Sequence, residues 1–183
     1  MELWEGTGTA VARAAQAVSG LLADNGFANL IAGGLAVQLH GYPRTTTDVD
    51  IIVCDVQVAH SFLVAHGYMA SVLQPLAVID QDRKVRIDLL PAGKCLKLVC
   101  QVPFPEPPTP PAIMQPVGLE MLISLKLDSW KHSPARRSRD RADVAELIMR
   151  NELPRELKVH HAVAREYFEL WDALAAELPG PVA

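Results

Sequence analysis

Residues 33–53 read GGLAVQLHGYPRTTTDVDIIV. The stretch opens on two glycines and closes on two carboxylates, Asp48 and Asp50, at the mouth of an apolar run. That run, DVDIIVC, reads as a strand. Alternate side chains of a strand face the same way, so Asp48 and Asp50 share one face and Val49 and Ile51 the other. Two carboxylates on one face repel unless something positive sits between them. A divalent ion does this well, and Mg2+ takes oxygen ligands, commonly one or two carboxylates together with substrate phosphates.

Upstream, ANLIAGG reads as a short buried strand running into a glycine turn, and LAVQLHG as a short helix stopped at Gly41, with Pro43 beyond it. Residues 8–25 carry apolar positions at helical spacing and end at Asn25-Gly26. Downstream, VQVAHSFLVAHG reads as a helix. LAVID and KVRIDLLPA read as a hairpin about the polar QDR, and CLKLVCQVPF as a further strand. Residues 103–116 hold seven prolines, which exclude helix and central strand. They form either an extended, semi-rigid connector or a surface loop. Beyond them the pattern is helical, in GLEMLISLKLDSWKH, in DRADVAELIMRNEL, and in a long amphipathic segment from Pro154 onward. The expected architecture is α+β (α/β): a small mixed sheet flanked by helices over 1–102, the proline connector over 103–116, and a C-terminal helical bundle over 117–183.

With 183 residues, half of them apolar, the chain is long enough for one domain with a real core. A net charge of −4 argues against wholesale electrostatic binding of nucleic acid but permits a local basic patch. The stretch KHSPARRSRDR, with Lys131, Arg136, Arg137, Arg139 and Arg141, is that patch. It suits a phosphate-rich acceptor such as RNA, or is a solvated loop between helices. No aromatic residue interleaves it, so base stacking is not signalled. Cys54, Cys95 and Cys100 lack metal or redox spacing and read as buried free thiols in a reducing compartment. No segment resembles a signal peptide or membrane span, so a cytoplasmic protein without membrane contact is expected.

A third acid, Asp88, lies inside the strand VRIDLL, where an ionised group needs a partner. If that strand lies beside the one carrying Asp48 and Asp50, three carboxylates converge and could hold two metals. Gly33 and Gly34, between strand and helix, let backbone amides point at a phosphate. Arg44 and Thr46, just before the acids, add a charge and a hydroxyl to the same phosphates.

The order strand, Gly-Gly, helix, Arg-x-Thr-x-Asp-x-Asp, strand, later strand Asp resembles the DNA polymerase β-like nucleotidyltransferase superfamily. The likeness is greatest to its minimal and AbiE-type toxin branch. The resemblance is most specific over residues 30–53. It implies a metal-dependent enzyme that moves a nucleoside monophosphate from an NTP to a hydroxyl, on tRNA or protein among others, and releases pyrophosphate. Asp48, Asp50 and Asp88 would be its catalytic and Mg2+ or Mn2+-binding residues, with Asp88 helping to deprotonate the acceptor. Gly33, Gly34, Arg44, Thr46 and Lys126 would bind the nucleotide. Arg136, Arg137 and Arg139 would meet an RNA acceptor, and an antitoxin partner is implied. The resemblance also implies a helix with a lysine, an arginine after it and a following D-x-x-D, which look like Lys126, Arg136 or Arg139, and Asp140 with Asp143; Lys126 equally reads as a snorkelling lysine, and Asp140 and Asp143 as first-turn helix acids. The competing reading is a catalytically silent nucleotide-binding or regulatory module of the same fold, acting through a partner.

Overall fold

The computed structural model describes residues 9–95 and 97–177. Helix α1 spans Ala10–Asp24, β1 Asn29–Ala32, α2 Gly33–Leu39, β2 Asp48–Val53 and α3 Val56–Ala65. Strands β3 (Met69–Ala70), β4 (Ala77–Asp80) and β5 (Val85–Pro91) follow, then α4 (Leu119–Lys131), α5 (Ser138–Arg150) and α6 (Ala164–Glu177). The strands form one mixed sheet in the order β1-β2-β5-β4-β3. Only β2 and β5 run parallel; the other neighbours are antiparallel. The architecture is α+β, as the sequence implied.

Local chemistry explains the element ends. The Thr9 hydroxyl accepts from the Ala12 amide and starts α1, and Gly26 at φ +79° takes the chain out of it. Asp55 caps α3 by accepting from the Val58 amide. The β4–β5 pairing is the expected hairpin. The two-residue β3 is an element that sequence periodicity could not reveal.

The parallel register between β2 and β5 positions the site. It sets Asp48 opposite Arg86, Asp50 opposite Asp88, and Ile52 opposite Leu90. These six side chains share one face. Val49, Ile51, Val53, Ile87 and Leu89 turn to the other face and join the main core with Ala14, Val18 and Leu22 of α1 and Ala59 and Leu63 of α3. On the site face, Leu30, Ala32, Ile52 and Phe104 form a small apolar cluster against Leu90, Ala92 and Leu125. The sheet is thus acidic at one end of this face and greasy at the other.

Two expectations are corrected. CLKLVCQVPF is not a strand: apart from Leu96, which lies outside the described residues, it makes one isolated bridge between Cys95 and Pro103. Leu98 and Val99 are exposed with no sheet to lie on. The amides of Gln101 and Val102 are taken by the Asp128 carboxylate, at 2.9 and 3.0 Å. The last helix does not begin at Pro154. Residues 154–160 run irregularly, a 3-10 turn covers His161–Val163, and α6 starts at Ala164. Here Leu157 and Val159 both pack on the core two residues apart, a spacing that suits extended chain and not a helix. The carbonyls of Leu153 and Pro154 accept from Trp171 Nε1 and the Tyr167 hydroxyl of α6, so this segment straps the helix it was expected to begin. Of the cysteines, only Cys100 is buried, and Cys54 is exposed.

The proline-rich stretch is ordered against the body. Ile31 of β1 donates to the Gln115 carbonyl at 2.8 Å, and Val117 donates back to Ile31 at 2.9 Å, making a parallel bridge with Pro116. From there the chain enters α4, which packs on α5 and over α2.

Candidate active site

A cavity of about 1040 Å3 lies between the site face of the sheet and the helices α4 and α5. Its wall includes Gly33, Gly34, Arg44, Thr46, Asp48, Asp50, Asp88, Lys126, Arg136, Arg137 and Arg139. The glycines, the three sheet acids, Arg44, Thr46, Lys126 and three arginines of the basic stretch therefore reach one space, while Lys131, Arg141 and Asp143 do not line it.

The glycines are there because side chains occupy the room above them. Gly33 is the first residue of α2 and sits at φ +59°, where L side chains are strained. A Cβ on it would collide with the Asp50 carboxylate. A Cβ on Gly34 would collide with Arg44 and come within 2.7 Å of Thr46 Oγ1. The glycine pair is the floor on which Asp50, Arg44 and Thr46 lie. Arg44 is further held by its carbonyl, which accepts from Gln38 Nε2.

Sequence reasoning missed Arg86. Its Nη2 lies 2.6 Å from Asp48 Oδ2, and its Nε lies 3.0 Å from Asp88 Oδ1 and donates to Oδ2 at 3.2 Å. Thr46 Oγ1 adds a donor to Asp48 Oδ1 at 3.3 Å. The signal was the two-residue spacing in VRIDLL, which puts Arg86 and Asp88 on one face. Asp50 has no such close cation. Burial, then the charges of Asp48 and Asp88, push its carboxyl up from 3.8 to about 6, with Lys126 and Arg86 acting weakly the other way. Burial also raises Asp88, with Arg86 opposing.

Lys126 is not a snorkelling side chain. It is 7% exposed and paired with Asp140 Oδ1 at 3.0 Å and Asp143 Oδ2 at 2.7 Å. Arg44 Nε lies 3.2 Å from Asp143 Oδ1. Asp140 and Asp143 stand one helical turn apart on α5, so both face α4. They tie Lys126 and Arg44 into a buried network that joins the helical half to the loop before β2. Such a network holds only while every charge has its partner.

The donor set fits a divalent cation by its chemistry: three carboxylates on one sheet face, hard oxygen ligands, around an acid that burial and its two neighbouring carboxylates push up. They do not close on a common point. Among the described residues no three acidic, His or Cys side chains gather at metal-binding distance, and Arg86 stands between Asp48 and Asp88.

No family model matches the sequence, and no curated protein does. Solved structures do match. The antibiotic-resistance factor ANT(2'')-Ia in solution superposes with a TM-score of 0.51 over 87% of this chain and 89% of its own, at 11% identity. ANT(2'')-Ia crystallised in complex with adenylyl-2''-tobramycin superposes with a TM-score of 0.51 over 87% and 93%, at 12% identity. At such identity the likeness establishes the fold, a polymerase β-like nucleotidyltransferase fold. Among the described residues no helix is long and apolar enough to cross a membrane.

Proposed function

We propose that this chain is a metal-dependent nucleotidyltransferase that moves a nucleoside monophosphate from an NTP to a hydroxyl group. The observation that carries this reading is the register of β2 against β5, which sets Asp48, Asp50 and Asp88 on one face of a cavity also lined by Lys126 and the Gly33-Gly34 floor. A solved structure of the same fold, ANT(2'')-Ia, holds adenylyl-2''-tobramycin.

Mg2+ or Mn2+ held by Asp48, Asp50 and Asp88 would supply charge to offset the triphosphate. The chain's own residues do the rest. Lys126, presented by Asp140 and Asp143, reaches the phosphates from the helical side, and Arg44 and Thr46 hold them from the loop side. The acceptor oxygen attacks the α-phosphorus; its bond to phosphorus forms as the bond to the β-phosphate oxygen breaks, and pyrophosphate leaves. The hydroxyl proton passes to Asp88, which faces the same cavity.

Arg136, Arg137 and Arg139 at the cavity wall favour a polyanionic acceptor, and we assign RNA to that role. The same three cations disfavour a polycationic acceptor such as tobramycin. A toxin-like role and an antitoxin partner rest on the sequence resemblance. The test is incubation with each labelled NTP, Mg2+, and total RNA, total protein or tobramycin. Label on RNA, lost in Asp48→Asn, is the expected result. Label on none of the three, with NTP still bound, would instead favour the silent nucleotide-binding module.

A further inference from the structure

We propose that Arg86 is the built-in counter-cation of the acid site, which a divalent metal must displace, and which then pairs with the phosphates of the incoming nucleotide. The inference rests on the metal-dependent reading above.

Arg86 contacts Asp48 and Asp88 at once, at 2.6 and 3.0 Å. A metal held by these acids would need the same oxygens, so the two cations compete. Any free energy the guanidinium gains from the carboxylates is subtracted from metal binding. Lys126 is not the group that yields, since it is 7% exposed and locked between Asp140 and Asp143. Arg86 is 42% exposed, more open than Asp48 or Asp88. Its planar fork matches a phosphate as well as a carboxylate. A metal–NTP complex brings both the ion that releases Arg86 and the anion that receives it. Metal and nucleotide should therefore bind with positive coupling, and by reciprocity each should tighten the other. Partly exposed pairs are weak, so removing both ion pairs should tighten binding of metal alone by about three- to tenfold.

The test uses Mn2+ titration followed by electron paramagnetic resonance, with and without a non-hydrolysable NTP analogue, on the parent and on Arg86→Gln. We expect Arg86→Gln to bind Mn2+ alone about three- to tenfold more tightly. Its advantage should shrink or reverse once the analogue is present. A structural role would weaken both titrations. An Arg86→Gln protein that binds Mn2+ alone no more tightly than the parent overturns the proposal. Should that variant not fold, the parent decides. The Arg86 Nε–H resonance, assigned by its loss in Arg86→Lys, should move on Mg2+ titration and move again with the analogue. A parent that binds Mg2+ with this resonance unchanged overturns the displacement while leaving the metal reading intact. No Mn2+ binding by either protein, with or without analogue, overturns both.

Discussion

Replacing Asp50 by Asn should make the metal-free protein more stable at neutral pH. Asp50 is half-buried between two like charges, and its carboxyl is pushed up from 3.8 to about 6. A raised carboxyl pKa means that the folded state holds its proton more tightly than the unfolded chain. Folding is thus favoured by this group below 3.8, and that contribution is lost as pH rises through about 6. At roughly 1.4 kcal/mol per pH unit, the ionised Asp50 costs about 3 kcal/mol at pH 7. Asn keeps the shape over Gly33 and removes the charge, so about 1–3 kcal/mol should be recovered. Urea denaturation in EDTA would measure it, at pH 7.5 and again at pH 4. The gap should be wide at the higher pH and closed at the lower, and saturating Mn2+ should shrink it for the parent. An Asp50→Asn protein no more stable than the parent at pH 7.5 would refute the electrostatic account. Asp48→Asn should behave in the opposite sense. Asp48 already has Arg86 at 2.6 Å, so neutralising it removes an attraction, and stability should fall by up to about 1 kcal/mol.

Further outcomes follow from the same geometry. Lys126→Met leaves Asp143 with Arg44 and Asp140 with only the longer contact to Arg137, and should cost about 3 kcal/mol by chemical denaturation, with NTP binding lost. Adding Asp143→Leu should restore part of the stability and none of the binding. Gly33→Ala meets both a left-handed backbone and the Asp50 carboxylate; a loss of about 1–3 kcal/mol and a shifted pH profile of stability are expected. Replacing Arg136, Arg137 and Arg139 with Ala should flatten the salt dependence of RNA binding, by about one unit of log–log slope for each phosphate that is no longer neutralised, while leaving NTP affinity nearly unchanged. Filter binding over a salt series reads both.

Most of the sheet was legible because its strands alternate cleanly or are bounded by turn residues. The DVDIIV and VRIDLL runs carried face and polarity together, and with them the acid cluster. Arg86 was hidden because its meaning depends on which strand lies beside β2, a fact of topology and not of local pattern. Lys126 could not be decided from its helix, since the acids that bury it come from α5, 14 and 17 residues away. The 154–160 segment misled because its composition is helical, while its extended course goes with Leu157 and Val159 packing on the core and with α6 claiming the carbonyls of Leu153 and Pro154 at its start. Lys126, the strap and Arg86 are all tertiary effects acting on ambiguous local signals.

The bridge from Pro116 to Ile31 bears on what the molecule must avoid. β1 is the terminal strand of the sheet, four apolar or amide-bearing residues long, and its outer side is a template for another chain. Gln115 and Val117 occupy that side, and the prolines before them cannot pass the ladder on to a further strand. The same peptide leads into α4, so swinging the helices away from the sheet would uncover a sticky edge at the moment the cavity opened. Opening and self-association are thereby linked. Amide exchange at Ile31 should track the mobility of the helical half, and a protein with this segment cut should precipitate before it unfolds.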